Sequence, residues 1–331
     1  MIEHDQLLVE AARVARMYYY QNLTTELIAQ QLNVSRSKVS RLLSFAKQQG
    51  LVEIRVHDPQ RHPQPLEAEI QRRYEVAAKV VSTPHAATPS ERLEQVTRFA
   101  ANYLNALVKD AHVLALSWGT TLSVMSQHLV ALERSALAVV QLSGAGNLYH
   151  GSSLYAADII RRFANNYGAK THLLPVPAYF DTASTRRALW RERSLQPLFA
   201  LHRRSDVALF SLEGVHRGRP RRIYTRGYLS AHDMNALGAA GVVGSFATVF
   251  YPIDGDHRRV ALNDRSSGPD LDVFRAVPRR LCVLSGQGKV RSLHAALTGG
   301  LVSDLVTDDT TAEALVGLYD RHNRLSEDDF G

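Results

Sequence analysis

At 331 residues the chain has room for one small domain and one of ordinary size. A hydrophobic fraction of 45% is enough for a packed core, which excludes a disordered chain. No apolar run approaches the ~20 residues that span a bilayer, and the opening MIEHDQ lacks the basic-then-apolar order of a signal peptide, so a cytoplasmic protein with no membrane partner is expected. The formal charge of +7 suits an anionic partner, and the single cysteine, Cys282 in the apolar run LCVLSG, reads as a buried thiol in a reducing compartment.

Residues 4 to 20 have helical spacing, with Leu7, Leu8, Ala11, Val14, Ala15 and Tyr18 available for one buried stripe. From Leu23 to Val56, LTTELIAQQLNVSRSKVSRLLSFAKQQGLVEIRV reads as a helix–turn–helix that enters a DNA major groove. Thr24 or Thr25 can cap its first helix, whose apolar positions are Leu27, Ile28 and Leu32. Asn33 and Val34 make the turn, since asparagine tolerates a left-handed backbone. Ser35 is a natural N-cap for the second helix, with Val39, Leu42 and Leu43 on its inner face. What remains outward is Arg36, Ser37, Lys38, Ser40 and Arg41, at the helix end that meets base edges and phosphates. Lys47 adds a phosphate contact one to two turns on. An amphipathic hairpin that merely packs is the plainer alternative, but it does not need basic and hydroxyl residues gathered on one short helix. Gly50 closes the helical part, and the alternation from Leu51 to Val56 suggests a short wing strand.

Residues 57 to 65, HDPQRHPQP, carry three prolines and read as a stiff boundary, which gives a DNA-binding domain at 1–57, a linker at 58–65 and a larger domain at 66–331. Two nearby histidines bring no further ligand chemistry, so no metal is expected there. From Leu66 onward, Val- and Leu-rich runs such as HVLALSW, LAVVQLSG, DVALFSL, RLCVLSG and LVSDLVTD alternate with helical stretches. That alternation indicates buried parallel strands in a layered α/β sensor domain, where ligands bind at the carboxyl ends of strands.

Three such junctions look built for anions. SWGTT at 117–121 and SGQGK at 285–289 each follow a strand and open a helix, and the second adds an ammonium. SGAGN at 143–147 is glycine-rich as well. Each alone is also an ordinary tight turn; three on one sheet point to a phosphate or polyol pocket. Neither a P-loop nor a dinucleotide fingerprint is complete, since Val283 and Val290 break the first and Tyr149 the second. There is no HExxH, no paired CxxC and no nucleophile elbow at Gln141–Ser143, so neither an enzyme nor a cofactor is expected. Arginines cluster between Arg186 and Arg226, as a solvated face or, alternatively, at a subunit interface or beside an anionic ligand.

This order of parts resembles the SorC family of bacterial sugar-responsive transcription regulators over nearly the whole length. The likeness rests on MYYYQNLTTELIAQQLNVSRSKVSRLLSFAKQQGLVEIRV and then on LALSWGTTL, VVQLSGAGN, LLPVPAY, LNDRSSG, GKVRSLHAALTGG and LVTDDTTAEAL. It implies an N-terminal winged helix–turn–helix and an effector domain similar to the sugar-phosphate isomerase and glucosamine-phosphate deaminase fold, used for sensing. By that resemblance Gly119, Thr120 and Thr121, with Gly286 and Lys289, would contact an effector phosphate, and Asn147 a sugar hydroxyl. The chain departs from the family pattern at Pro252 after Phe250 and Tyr251, at Ser245 after Gly244, and at Leu212 and Glu213.

The expectation is therefore a regulator of carbohydrate catabolism genes that binds double-stranded operator DNA as a homodimer or homotetramer, because two-fold operators need two modules at fixed spacing. A sugar or sugar phosphate would control it. The rivals are a sugar-phosphate isomerase or deaminase carrying a DNA-binding module, and a constitutive DNA-binding protein whose α/β domain only joins subunits.

Overall fold

The computed structural model describes residues 2–19, 21, 23–52, 64–145, 152–216, 219–220 and 229–328. The chain divides into two compact units, residues 1–60 and 61–331.

The first unit holds α1 (Ile2–Tyr19), α2 (Thr25–Leu32) and α3 (Arg36–Gln48). Thr24 is the cap of α2, its Oγ1 accepting the Leu27 amide at 3.3 Å. Asn33 turns the chain in the left-handed region, at φ 51° and ψ 47°. Ser35 caps α3, its Oγ accepting the Lys38 amide at 3.2 Å. Ala11, Val14, Ala15 and Met17 pack on Ile28, Ala29, Val39, Leu42, Leu43 and Ala46. Met17, rather than Tyr18, completes the stripe on α1, and Leu7, Tyr18 and Leu27 stay well exposed at 38%, 38% and 45%. The helical period explains this: a three-helix core reaches only a narrow arc of each helix. Of the expected wing, residues 53–56 lie outside the described residues, as do residues 58–63 of the expected linker. Gln64 and Pro65, expected in the linker, open helix α4 (Gln64–Tyr74) instead.

The second unit is built on a seven-stranded parallel sheet in the order β1-β11-β10-β5-β2-β3-β4. The strands are β1 (Ala77–Val81), β2 (Val113–Leu116), β3 (Ala138–Gln141), β4 (Lys170–His172), β5 (Val207–Phe210), β10 (Arg279–Val283) and β11 (Asp304–Asp308). Each central strand is buried on both faces, which is why its sequence reads as a continuous apolar run. In β2, Leu114 and Leu116 join one core layer while Val113 and Ala115 join the other. Helices α5 (Pro89–Leu107), α6 (Thr120–Met125), α7 (Ser152–Asn166), α8 (Ala183–Leu189) and α9 (Gln196–Arg203) connect the first strands.

A second sheet, which the residue pattern did not announce, is antiparallel. It runs β7 (Arg219–Pro220), β6 (Glu213–His216), β8 (Val242–Phe246) and β9 (Val249–Pro252), with α10 (Ala231–Ala239) before β8. It is inserted between β5 and β10. After α11 (Leu271–Arg275) and β10, α12 (Val290–Thr298) leads to β11, and α13 (Asp309–Asp328) closes the described chain. Strands β2, β3 and β4 proceed outward from the sheet centre in one direction and β5, β10 and β11 in the other. The topology therefore switches between β2 and β5, and sheets of this kind bind ligands outside the carboxyl ends of the strands at such a point.

Candidate DNA-reading helix and effector site

The outward face of α3 carries the residues expected to read DNA. Arg36, Ser37, Ser40, Arg41 and Lys47 are exposed and Lys38 half-buried. Arg36 pairs with Glu26 at 2.9 Å and Lys38 with Glu10 at 3.0 Å, so both cations are held by acids of the preceding helices. The Glu26 carboxyl lies below its ordinary range, first through a backbone hydrogen bond and then through the Arg36 charge. Arg41 Nε donates to Ser37 O at 3.4 Å, which lays its stem back along the helix. Ser35 caps the helix, and its Oγ lies 3.0 Å from Ser37 Oγ, so its first duty is local.

In the second unit, the 117–121 loop lies at the switch point and the 285–289 loop one strand beyond it. Gly119, Thr120 and Thr121 leave β2 and open α6. Gly119 sits at φ 143° and ψ −179°, a region that only glycine occupies readily. Thr120 is exposed and Thr121 buried. At the end of β5, the Ser211 hydroxyl donates to Thr121 Oγ1 at 3.1 Å. On the other side of β5, Ser285–Lys289 leaves β10 and winds into a short 3-10 turn, Gln287–Lys289, before α12. Two strand spacings, about 10 Å, separate the ends of β2 and β10.

Gly286 has φ 114° and its amide donates to Thr311 Oγ1 at 2.9 Å. Its N–H is thus engaged by Thr311. The Lys289 amide returns to Gly286 O at 3.0 Å. Between them the Gln287 and Gly288 amides donate to no partner among the described residues, and nor do those of Thr120 and Thr121. Lys289 itself is half-buried. Strand β6 lies directly on this loop: a Cβ on Gly214 would come within 2.6 Å of Gly288 O. Ser292 Oγ, in the first turn of α12, donates to Glu213 O at 2.9 Å and holds the strand there.

The third loop divides. Asn147 lies outside the described residues. Ser143 and Gly144 are buried, the Gly144 amide donates to Ser267 Oγ at 2.9 Å, and a Cβ on Gly144 would meet Val176 O at 2.3 Å. That glycine serves close packing against the 176–178 segment. Ser211, Thr311 and the Gln287 and Gly288 amides were not singled out by residue pattern; the available signal was their place just past a buried strand.

The groups at these strand ends are N–H and O–H donors and one ammonium, a set that suits an anionic or polyhydroxylated ligand. Burial pushes the Cys282 thiol far above its ordinary range, so it takes no part.

A family model described as "Putative sugar-binding domain" matches residues 58–317. The chain is also 34% identical over 317 residues to the Deoxyribonucleoside regulator of Bacillus subtilis (strain 168), covering 95% of this chain and 98% of that protein. The chain belongs to the SorC family of bacterial sugar-binding transcriptional regulators. A second model, Sigma-70 region 4, matches residues 8–49, the span of α1 to α3. Among solved structures, a domain of "a possible sugar-binding transcriptional regulator" from Arthrobacter aurescens TC1 superposes with a TM-score of 0.72 at 40% identity, covering 78% of this chain and all of that one. Full-length SorC from Klebsiella pneumoniae shares the fold, with a TM-score of 0.75 at 22% identity over 93% of this chain and 98% of that one. This SorC-family chain is a DNA-binding transcriptional regulator controlled through its sugar-binding domain.

Proposed function

We propose that the effector is a sugar phosphate held at the carboxyl ends of β2, β5 and β10, and that it governs operator binding by α3. The observation that carries this reading is the 285–289 loop, where Lys289 follows two amides that donate to no described partner, at the carboxyl end of β10, one strand from the switch point of the sheet. Lys289 supplies charge, Gln287 and Gly288 supply directed N–H donors, and Thr120 and Thr121 supply donors to the rest of the ligand. Asn147 is the expected sugar-hydroxyl contact. The relative from Bacillus subtilis is a deoxyribonucleoside regulator, which makes deoxyribonucleosides the first probes.

On the operator, Arg36 and Arg41 read base edges, and Lys38 and Lys47 contact phosphates, with Ser35, Ser37 and Ser40 along the same face. The functional unit is a dimer or tetramer that acts in the cytoplasm near genes of carbohydrate catabolism, and it binds its effector without converting it. Among the described residues no helix is long and apolar enough to cross a membrane. The test is a screen of sugars and their phosphates by thermal midpoint, followed by operator binding with and without the hit and by product analysis of the same mixture. A concentration-dependent rise with altered operator affinity and no product supports the reading. A hit that is turned over supports the isomerase-like rival.

A further inference from the structure

Strand β11 ends in Asp308 and α13 opens with Asp309, and the two aspartates face different neighbours. Asp309 accepts the Thr83 amide at 2.9 Å and the Thr83 hydroxyl at 2.7 Å, with Arg92 at 3.5 Å, and so fastens the end of β1. Asp308 is fully buried and serves the loop on β10. Its carboxylate accepts Thr310 Oγ1 at 2.6 Å, the Thr311 amide at 2.9 Å and Thr311 Oγ1 at 2.7 Å. Burial alone raises a carboxyl pKa, but these donors together bring Asp308 below its ordinary range. An ionised carboxylate only accepts, so the single hydroxyl hydrogen of Thr311 is committed to Asp308. The Thr311 lone pairs are then left for the Gly286 amide, 2.9 Å away.

The result is a charge-assisted chain from Asp308 through Thr311 to Gly286. It pins Gly286 in its glycine-only conformation, from which the loop turns to leave the Gln287 and Gly288 amides unused. We propose that Asp308 is a positioning residue for the effector's anion, acting through Thr311 without touching the ligand. This rests on the reading of the 285–289 loop as the anion site. A neutral amide at 308 both donates and accepts, so it does not impose one direction on the Thr311 hydroxyl.

The experiment measures the dissociation constant of the full-length protein for inorganic phosphate, from the concentration dependence of the thermal midpoint. Wild type is compared at fixed ionic strength with Asp308→Asn, Thr311→Val, Thr311→Ser and Lys289→Ala. Thr311→Val keeps the shape of the side chain but removes the acceptor for Gly286, while Thr311→Ser retains it. Asp308→Asn and Thr311→Val should weaken phosphate binding about tenfold, the equivalent of one lost hydrogen bond, with Thr311→Ser within about twofold of wild type. Should Asp308→Asn fail to fold, the valine and serine pair decides alone. Thr311→Val that melts earlier yet binds phosphate like wild type, while Lys289→Ala binds weakly, overturns the positioning role and leaves the site intact. Wild type that ignores phosphate, or Lys289→Ala that binds it equally well, overturns the anion site and the positioning role with it.

Discussion

The Ser211 hydroxyl donates to Thr121 Oγ1 at 3.1 Å, joining the end of β5 to the start of α6 across the point where the sheet reverses its order. That bond registers the two sides of the switch point against each other. Ser211→Ala should cost about 0.5–1.5 kcal/mol of stability, as for a typical part-buried hydrogen bond. It should also weaken effector binding by roughly three- to tenfold, because Thr121 loses its partner. Chemical denaturation and effector titration of the same variant check both figures.

Recognition of the operator should divide along α3. Replacing Arg36 or Arg41 with alanine should weaken specific binding by ~1–3 kcal/mol and relax sequence preference at one position each. Lys38→Ala and Lys47→Ala should instead lower the salt slope by about one, with sequence preference retained. Glu26→Gln frees Arg36 from its exposed pair and should raise operator affinity modestly. Binding measured across a salt series for all five variants separates these outcomes; unchanged affinity in both arginine variants would remove α3 from the base-reading role.

Stability should fall in two steps on acidification. His202 is buried with Nε2 2.9 Å from Gln141 O, and burial depresses its pKa below the ordinary value. A depressed histidine contributes stability that is present above its unfolded pKa of about 6.5 and is lost as pH falls through the folded value. His202→Asn should therefore flatten the decline of the thermal midpoint just below pH 6.5. The second step belongs to depressed carboxylates such as Asp304. Burial raises its pKa, but Arg279, the Ser303 hydroxyl at 2.7 Å and the Tyr103 hydroxyl at 2.8 Å outweigh it. Its contribution is present above the unfolded value of about 3.9 and is lost below it. Asp304→Asn should remove part of that step and cost about 1–3 kcal/mol at neutral pH.

A fragment of residues 61–331 should fold, bind effector and remain a dimer or tetramer by sedimentation. The cut belongs before α4, since Glu67 Oε1 accepts the Val80 amide at 2.9 Å and Arg73 pairs with Asp320 at 2.8 Å. Removing residues 1–65 instead deletes the first two residues of that helix. A monomeric 61–331 fragment would place the interface in the first unit.

How much of this the residues announced varied with the physics of each element. Caps at Thr24 and Ser35 and the left-handed Asn33 are local interactions, so they were legible from neighbouring side chains alone. Buried parallel strands such as VLAL at 113–116 announced themselves as apolar runs. The antiparallel sheet of 213–252 did not, because Gly214, Gly244 and Pro252 break the apolar alternation that marks a strand, and its glycines are needed for close approach: a Cβ on Gly244 would strike Ser292. In the site, the glycines and Lys289 could be read from composition. The engagement of the Gly286 amide by Thr311 could not, since 25 residues separate the two and only the pairing of β10 with β11 brings them together.

The most direct test of the account is one titration of Lys289→Ala and wild type with the sugar phosphate found in the screen, each followed by operator binding. Lys289 should make a charge-assisted contact worth ~1.5–3 kcal/mol to the ligand's phosphate. The alanine variant should therefore need about ten- to hundredfold more effector for the same change in operator binding, while its operator affinity without ligand equals that of wild type. Equal effector affinity in the two proteins would contradict the account and move the anion away from the end of β10.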